Sequence, residues 1–202
     1  MEARFLAQAK GRLKLCHRAL VTLRKGETLL DETEFQIHWV DFLVQWKGVY
    51  MKLQQAAKSS PQERQWFGAL NNERRNDPLL RWLYEARNDE EHHGLIESAI
   101  RKPESHVYRL LKNGPISGRI DMGNPGVILD MEGEIVAVRV SHEPEVSMLQ
   151  EVVEKDGKKK VPAPTSHLGR SMPPHPILAA LLGLRWIAAA LAKAESMSTP
   201  SQ

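Results

Sequence analysis

Residues 77–93 read DPLLRWLYEARNDEEHH, and this stretch decides how the chain folds. Asn76 or Asp77 is suited to cap a helix, and Pro78 stands where the first helical turn tolerates proline. Leucine, tryptophan and alanine then recur at spacings of three and four residues, which is the pattern of a packed helix. The sequence therefore predicts a buried helix that runs to about Arg101 and is the fourth in the chain.

The apolar side of this predicted helix changes along its length. Four apolar residues share one face in the first turns: Leu79, Trp82, Leu83 and Ala86. The same face then reaches Glu90 and His93, whereas Leu95 and Ala99 stand on the opposite side. A helix buried all round, a helix that contacts a second subunit, or a helix beside a polar pocket would each produce this change.

Three helices are predicted upstream, and with the fourth they make an up-and-down bundle over residues 1–102. The first helix stops at Gly26 and has one apolar seam: Leu6, Ala9, Leu13, Cys16, Leu20 and Leu23. The second helix begins near Asp31, and aromatic residues are frequent on its apolar side: Phe35, Trp39, Phe42, Leu43, Trp46, Val49, Tyr50 and Leu53. The third helix starts at Pro61 and runs to about Arg75.

The character of the sequence changes after Pro103, where glycine, proline and β-branched residues become frequent. Two antiparallel hairpins are predicted, one from residues 127–129 and 135–138 and the other from residues 148–153 and 159–161. Residues 166–174 are predicted to form a loop, and residues 175–195 a last helix. The predicted fold class is α+β, with a helical bundle as domain 1–102 and a β-rich extension as domain 104–202.

The composition is that of a globular protein, with 42% hydrophobic residues, 26% charged residues and a net charge of +3. The positive excess belongs to residues 1–113, which hold 19 Lys and Arg against 15 Asp and Glu. That distribution is compatible with an RNA partner without demanding one. Cys16 is the single cysteine, which excludes an intrachain disulfide and fits a cytoplasmic location. Residues 176–192 are apolar around Arg185, and they predict a buried helix and no membrane span.

The segment Arg87-Asn88-Asp89-Glu90-Glu91-His92 has two interpretations that involve no RNA. Arg87 and Glu91 stand four residues apart, which suits a plain ion pair on a helix surface. Glu90 and His93 have the Glu-x-x-His spacing that di-iron helical bundles use. Such a centre needs a second Glu-x-x-His and two further carboxylates, and the chain has no second copy. We therefore expect no metal and no other cofactor.

The motif and its place in the bundle resemble the HEPN superfamily (higher eukaryotes and prokaryotes nucleotide-binding domains). The motif of that superfamily is Arg, then four to six residues, then His, often with a polar residue after the Arg. Arg87, Asn88 and His92 match it on a late helix of a helical bundle, and the resemblance covers residues 1–102. His93 satisfies the looser spacing, so His92 and His93 are both candidates for the motif histidine.

The resemblance implies a metal-independent endoribonuclease, of the kind found among toxins or phage-defence proteins. It implies that Arg87 holds the scissile phosphate, that His92 moves a proton, and that Asn88 orients the histidine or binds a phosphate oxygen. His93 and Glu91 are additional candidates for the site. A homodimer through the bundle, RNA or a nucleotide, and a cognate protein are the implied partners. The alternative is a HEPN-like module that binds RNA, a nucleotide or a protein without cleaving.

Overall fold

The structure is a computed structural model, and it describes residues 1–25, 32–93, 99–101, 106–110, 138–142, 147–154 and 159–198. Five helices lie in this part of the chain: α1 (Ala3–Lys25), α2 (Glu32–Ala56), α3 (Pro61–Asn76), α4 (Pro78–His93) and α5 (Pro176–Ser198). The strands are short: β1 (Ala99–Arg101), β2 (His106–Leu110), β3 (Val138–His142), β4 (Ser147–Leu149), β5 (Val152–Val153), β6 (Lys160–Val161), β7 (Ser166–His167) and β8 (Arg170–Ser171). They pair antiparallel as β1 with β4, β2 with β3, β5 with β6, and β7 with β8. The predicted α+β class is confirmed: an N-terminal helical bundle is followed by small antiparallel sheets and a C-terminal helix.

The chain groups into two compact units. One unit is Lys102–Val146, and its described residues form the antiparallel pair of β2 and β3. The other unit combines Met1–Arg101 with Ser147–Gln202, so it holds all five helices and the remaining strands. The division into domains 1–102 and 104–202 stays a prediction.

Helices α1 and α2 pack along one another through the seams that the sequence predicted. Leu13 of α1 is half-buried, and the rest of the predicted α1 seam is buried. All eight predicted apolar residues of α2 are buried, and Trp39 and Phe42 stack with 5.8 Å between their ring centroids. Aromatic side chains bury a large area and favour such offset stacking. These residues make α2 the centre of the core.

Ser60 fixes the start of α3 through a capping box with Glu63. The Ser60 hydroxyl accepts a hydrogen bond from the Glu63 N–H, and the Glu63 carboxylate accepts one from the Ser60 N–H at 3.2 Å. This reciprocal pair satisfies two backbone donors that a helix start leaves open. The same carboxylate also binds the N-terminal ammonium of Met1. Glu63 therefore ties the start of α1 to the start of α3.

Asp77 separates α3 from α4 and serves both helices. Its backbone N–H donates to the Glu73 carbonyl at 2.9 Å and closes α3. Its carboxylate accepts from the Leu80 N–H at 2.9 Å and caps α4. The sequence left Asn76 and Asp77 open as the cap, and the structure assigns that role to Asp77.

Helix α4 is buried on more than one side because it contacts α2, α3, α5, β5 and β7. The predicted apolar face is confirmed, since Leu79, Trp82, Leu83 and Ala86 are all buried, and Leu80 is buried as well. The side chain of Trp82 donates from Nε1 to the Gln150 carbonyl at 2.8 Å, which links α4 to the chain just before β5. Helix α4 is therefore buried on more than one side. Of the two residues on which the predicted change of face depended, Ala99 belongs to β1 and Leu95 lies outside the described residues.

Helix α5 inserts among α1, α2 and α4. The indole of Trp46 donates to the Gly183 carbonyl at 2.8 Å, and the indole of Trp186 donates to Glu73 Oε1 at 2.9 Å. Within the described part of the chain, α5 alone is long and apolar enough to span a membrane by length and composition, and half of its most apolar stretch is buried in the protein. Its contacts confirm the predicted buried helix.

Two sequence predictions next to these helices are wrong. Residues 99–101 were predicted to continue the fourth helix, but they form β1 and pair with β4, Ala99 with Leu149. Strand pairing overrides a local helical pattern when it satisfies backbone groups across the fold. The signal for an earlier end is Gly94, because glycine commonly follows the last residue of a helix.

The second error is the loop at residues 166–174. Ser166–His167 and Arg170–Ser171 pair as β7 and β8, and the turn between them has positive φ at Leu168 (47°) and Gly169 (75°). Positive φ at both central residues is the backbone of a tight hairpin turn, for which Asn-Gly is the usual sequence signal. Leucine in the first position gives no such signal, so the hairpin was missed.

The two predicted hairpins have different outcomes. In the second, β5 pairs with β6, Val152 with Val161, as predicted, but Met148 belongs to β4 instead. Of the first hairpin, residues 127–129 and 135–137 lie outside the described residues. Val138 begins β3, whose partner is β2.

Candidate functional site

The predicted motif occupies the C-terminal half of α4. Arg87 is half-buried and Asn88 is 7% exposed. The backbone is helical through Glu91, His92 and His93, while their side chains lie outside the described residues. Successive helical residues turn by about 100°, so position 92 stands about 140° around the helix from position 87. Within one chain, Arg87 and His92 therefore do not share a side of α4, whereas Asn88 and His92 do.

Asn88 is held through both ends of its carboxamide. Its Oδ1 accepts a hydrogen bond from Nζ of Lys47 on α2. Its Nδ2 donates to Glu85 Oε2 at 2.7 Å, one turn earlier on α4. A buried amide needs such partners, because leaving it unsatisfied is unfavourable. The two bonds fix the orientation of the Asn88 side chain and tie the motif to α2.

Two cationic groups contact the ring of Tyr84 on α4. The guanidinium carbon of Arg74, on α3, lies 4.0 Å from the ring centroid, and Nζ of Lys47 lies 5.0 Å from it. Arg74 is also 5.6 Å from the ring of Tyr50 on α2, and the two tyrosine rings meet edge to face. Each cation–π contact contributes about 1 kcal/mol. The contacts hold α2, α3 and α4 together beside the motif.

Asn71 of α3 links two of these side chains. Its Oδ1 accepts from the Tyr50 hydroxyl at 2.8 Å and from Arg74 Nη2 at 3.3 Å. Burial raises the pKa of the Tyr50 hydroxyl, and the Arg74 guanidinium opposes part of that rise. Tyr50 is therefore a protonated donor at neutral pH. We call the connected residues of α2, α3 and α4 the cationic cluster: Lys47, Tyr50, Asn71, Arg74, Tyr84 and Asn88.

Arg74 gives this cluster its electrostatic character. Arg74 is 7% exposed, yet its side chain makes no ion pair with any residue that the structure describes. Its Nε has no hydrogen-bond partner within the same described part of the chain. A buried charge is normally paired, because water stabilises it far better than a protein interior does. Arg74 and Lys47 are the cations of the cluster, and the Glu85 carboxylate bound to Asn88 lies beside it.

Lys47 and Arg74 were not predicted from the sequence, although one signal for Arg74 was present. Arg74 follows Phe67 and Leu70 at spacings of four and three residues, so it continues the buried face of α3. A charged residue in an apolar position of a helix indicates a polar site. Lys47 gave no comparable signal, since it directly follows the buried Trp46 and stands beside the seam.

A second polar contact that the sequence did not indicate joins Asp77 and His167. Nδ1 of the His167 ring lies 3.0 Å from Asp77 Oδ1, and both residues are buried. Asp77 Oδ2 accepts from the Leu168 N–H at 2.6 Å. The sequence gives no signal for this contact, because no acidic residue stands at a paired spacing from His167. The fold supplies the partner from 90 residues away.

The described residues contain no candidate metal site, and a groove that they form involves no residue of the motif. No group of three or more His, Cys, Asp and Glu side chains suited to a metal ion occurs among the described residues. The side chains of Glu90 and His93 lie outside that part of the chain. A groove of about 350 Å³ runs between α1 and α2, and it is lined by Leu15, Arg18, Ala19, Thr22, His38, Asp41 and Gln45. None of these residues belongs to the motif or the cationic cluster.

Comparison with known proteins does not assign this chain to a family. No family model matches the chain, and neither a curated protein nor a solved structure gives a match. Any function proposed for it therefore has to be argued from its own residues.

Proposed function

We propose that this protein is a HEPN-like endoribonuclease that cleaves RNA without a metal ion. The observation that carries the proposal is that Asn88, next to Arg87 in the motif, is bonded to a cluster that holds the cations Lys47 and Arg74. Cationic side chains on a helical bundle suit a phosphodiester, whose charge is spread over oxygens that accept hydrogen bonds. The Arg-Asn-x3-His spacing then supplies residue types for acid–base chemistry at that phosphate.

The proposed reaction is attack of a ribose 2′-oxygen on the adjacent phosphorus. The 2′-hydroxyl proton goes to a motif histidine, the bond from phosphorus to the 5′-oxygen breaks, and that oxygen takes a proton from the second histidine of the site. The products are a 2′,3′-cyclic phosphate and a 5′-hydroxyl. In this scheme His92 moves the protons, and Arg87 stabilises the charge that develops on the phosphate oxygens.

Asn88 is a positioning residue in this scheme. Its carboxamide is bound to Lys47 on one side and to Glu85 on the other, so its orientation is set before RNA arrives. Position 92 follows it by one turn on the same side of α4. Asn88 therefore fixes the segment of helix that carries the histidine, and any contact it makes with phosphate is secondary.

The site is proposed to need two copies of the chain. Positions 87 and 92 are about 140° apart around one helix, so one copy does not present both groups to one phosphate from the same side. Two motif helices that face each other would bring Arg87 of one copy near His92 of the other. Such a composite site supplies two histidines, one as base and one as acid.

The test is cleavage of RNA in the presence of EDTA, with product ends identified by mass spectrometry. Arg87→Ala and His92→Ala are each expected to lower the cleavage rate by about 10²- to 10⁴-fold. His93→Ala distinguishes the two candidate histidines. The matched control is His17→Ala, because His17 is exposed on α1 and its loss should leave the rate unchanged. Cleavage that survives both Arg87→Ala and His92→Ala would contradict the proposal.

A second candidate is a HEPN-like module that binds RNA or a nucleotide without cleaving it. The double engagement of the Asn88 carboxamide favours it, because that side chain is already occupied within the protein. Retention of RNA without turnover, with an affinity that His92→Ala does not change, would select this candidate over the nuclease.

A further inference from the structure

The buried guanidinium of Arg74 lacks the partner that its charge requires. Its one hydrogen bond to a described residue goes from Nη2 to Asn71 Oδ1 at 3.3 Å, and that acceptor is neutral. Its Nε makes no hydrogen bond within the described part of the chain. The contact with the Tyr84 ring, at 4.0 Å, engages the face of the guanidinium group and leaves its N–H edge without a charged acceptor.

A second cation contacts the same tyrosine as Arg74. Lys47 carries an ammonium that contacts the same Tyr84 ring at 5.0 Å. Asn71 uses its Oδ1 to accept from Tyr50 and Arg74, so its amide contributes N–H groups. Lys47, Asn71 and Tyr84 are all half-buried, whereas Arg74 is buried.

We propose that Arg74 and Lys47 form a phosphate-binding subsite beside the motif. The Arg74 guanidinium has N–H groups without a charged acceptor among the described residues, and a phosphate group provides several acceptor oxygens at once. The guanidinium fork gives the site its preference, because it matches two phosphate oxygens in one plane. The subsite rests on the proposed function in one respect, because the RNA substrate of that function is the source of the phosphate.

The position of the subsite defines its relation to the reaction. Lys47 contacts both the Tyr84 ring and the Asn88 carboxamide, so the subsite begins within one helical turn of the motif. A phosphate held there is a neighbour of the one that Arg87 holds. The subsite therefore adds affinity for a strand of RNA and sets its register, and it takes no part in the chemical step.

The experiment measures binding separately from cleavage. The probe is a short fluorescent oligoribonucleotide whose 2′-hydroxyls are all methylated, which prevents cleavage, and the readout is fluorescence anisotropy at several salt concentrations. Arg74→Gln is expected to weaken binding about tenfold and to reduce the slope of log K against log salt by about one. The control is Arg75→Gln. It removes the same charge from the neighbouring residue, whose side chain is exposed, and it should change affinity less than about twofold.

A second measurement keeps the proposal testable if Arg74→Gln does not fold. In the wild-type protein, the NMR resonance of the Arg74 Nε–H should shift on titration with inorganic phosphate, and that of Arg75 should not. Adenosine monophosphate serves as a further probe, because a site for free phosphate monoesters binds it and a site for an RNA backbone binds the oligonucleotide alone.

The outcomes separate the two proposals. Equal effects of Arg74→Gln and Arg75→Gln on oligonucleotide binding, or wild-type affinity in a folded Arg74→Gln variant, would overturn the subsite. An Arg74 Nε–H resonance that no phosphate probe shifts would do the same. A wild-type protein that binds the methylated probe through Arg74 but never cleaves unmodified RNA would overturn the nuclease and leave the phosphate subsite standing.

Discussion

Asp77 Oδ1 lies 3.0 Å from Nδ1 of His167, and this contact joins the junction of α3 and α4 to a hairpin 90 residues later. The same carboxylate accepts from the Leu80 N–H at 2.9 Å and from the Leu168 N–H at 2.6 Å. One buried side chain therefore caps α4 and fixes the turn between β7 and β8.

Replacing this carboxylate should be costly for stability. Asp77→Ala is expected to lower the free energy of unfolding by about 2 kcal/mol, because it removes a helix cap and leaves buried donors without an acceptor. Urea denaturation followed by circular dichroism measures the loss. Asn76→Ala is the matched control, because Asn76 is the neighbouring residue and is exposed. This substitution should change the free energy of unfolding by less than about 0.5 kcal/mol. Equal losses in the two variants would contradict the assigned role of Asp77.

Gly183 allows α5 to approach its neighbours closely. A Cβ atom there would lie 2.4 Å from Leu83 Cδ1 and 3.3 Å from Trp46 Nε1, and Leu83 is fully buried and has little room to move. Gly183→Ala should therefore lower the free energy of unfolding by about 1–3 kcal/mol, measured by thermal or urea denaturation. Gly68→Ala is the control, because nothing lies within 4 Å of its added Cβ on the exposed side of α3. It should stabilise the protein by up to about 1 kcal/mol, and destabilisation by both variants would speak against a packing effect.

Cys16 should be chemically silent while the protein is folded. The thiol is fully buried between α1 and α2, where Sγ donates to the Phe42 carbonyl at 3.8 Å, and burial raises the pKa of the thiol well above its ordinary value. Since the thiolate is the reactive form, we expect no reaction with a coloured disulfide reagent in native buffer and one equivalent of reaction in denaturant. Rapid modification of the native protein would show that α1 and α2 do not pack as described.

The pair of Glu63 and the Met1 ammonium should make stability depend on acid. The hydrogen bond from this ammonium lowers the pKa of the Glu63 carboxyl from its ordinary value of 4.5, against a smaller opposing effect of burial. The stabilisation from the lowered pKa is present above pH 4.5 and is lost as the pH falls through the folded-state pKa.

Glu63→Gln isolates this effect, because glutamine still serves the capping box with Ser60 but carries no charge. The variant should be less stable than wild type at neutral pH, and the difference should shrink as the pH falls below 4.5. Urea denaturation at a series of pH values provides the comparison. A stability difference that does not vary with pH would exclude the ion pair as its cause.

The unit Lys102–Val146 should be removable. Arg101 of β1 and Ser147 of β4 are paired in register, so the two ends left by its removal stand about 5 Å apart. Replacing residues 102–146 with Asn-Gly would turn β1 and β4 into one hairpin. The shortened chain should still unfold cooperatively, with a melting temperature within about 5 °C of wild type. Deletion of α5 is the comparison that should abolish cooperativity, and a shortened chain without a cooperative transition would contradict the prediction.

The sequence predicted helices well because their signals are local. The aromatic spacing of α2 and the Ser60-Pro61 start of α3 each lie within a few residues, and both matched the structure. Strands were harder, because Ala99 is in β1 only by pairing with Leu149, 50 positions later. The β7–β8 turn was missed because Leu168 adopts a positive φ that its residue type does not announce.

The candidate site shows the same division. Arg87 and Asn88 were selected from spacing within one helix, and Asn88 lies in a buried polar network. Its partner Lys47 and the neighbouring Arg74 come from α2 and α3, and no short pattern connects them to α4. Their association requires three helices to pack, so it became visible only in the folded chain.

The insertion of α5 sets an order for events during synthesis. Trp46 emerges from the ribosome 137 residues before Gly183, whose carbonyl its indole must reach. The apolar surfaces of α2 and α4 that α5 covers therefore remain exposed to the cell until α5 has been made. A nascent chain of this protein should depend on chaperones that shield such surfaces, and stalled synthesis before residue 176 should leave a product that aggregates.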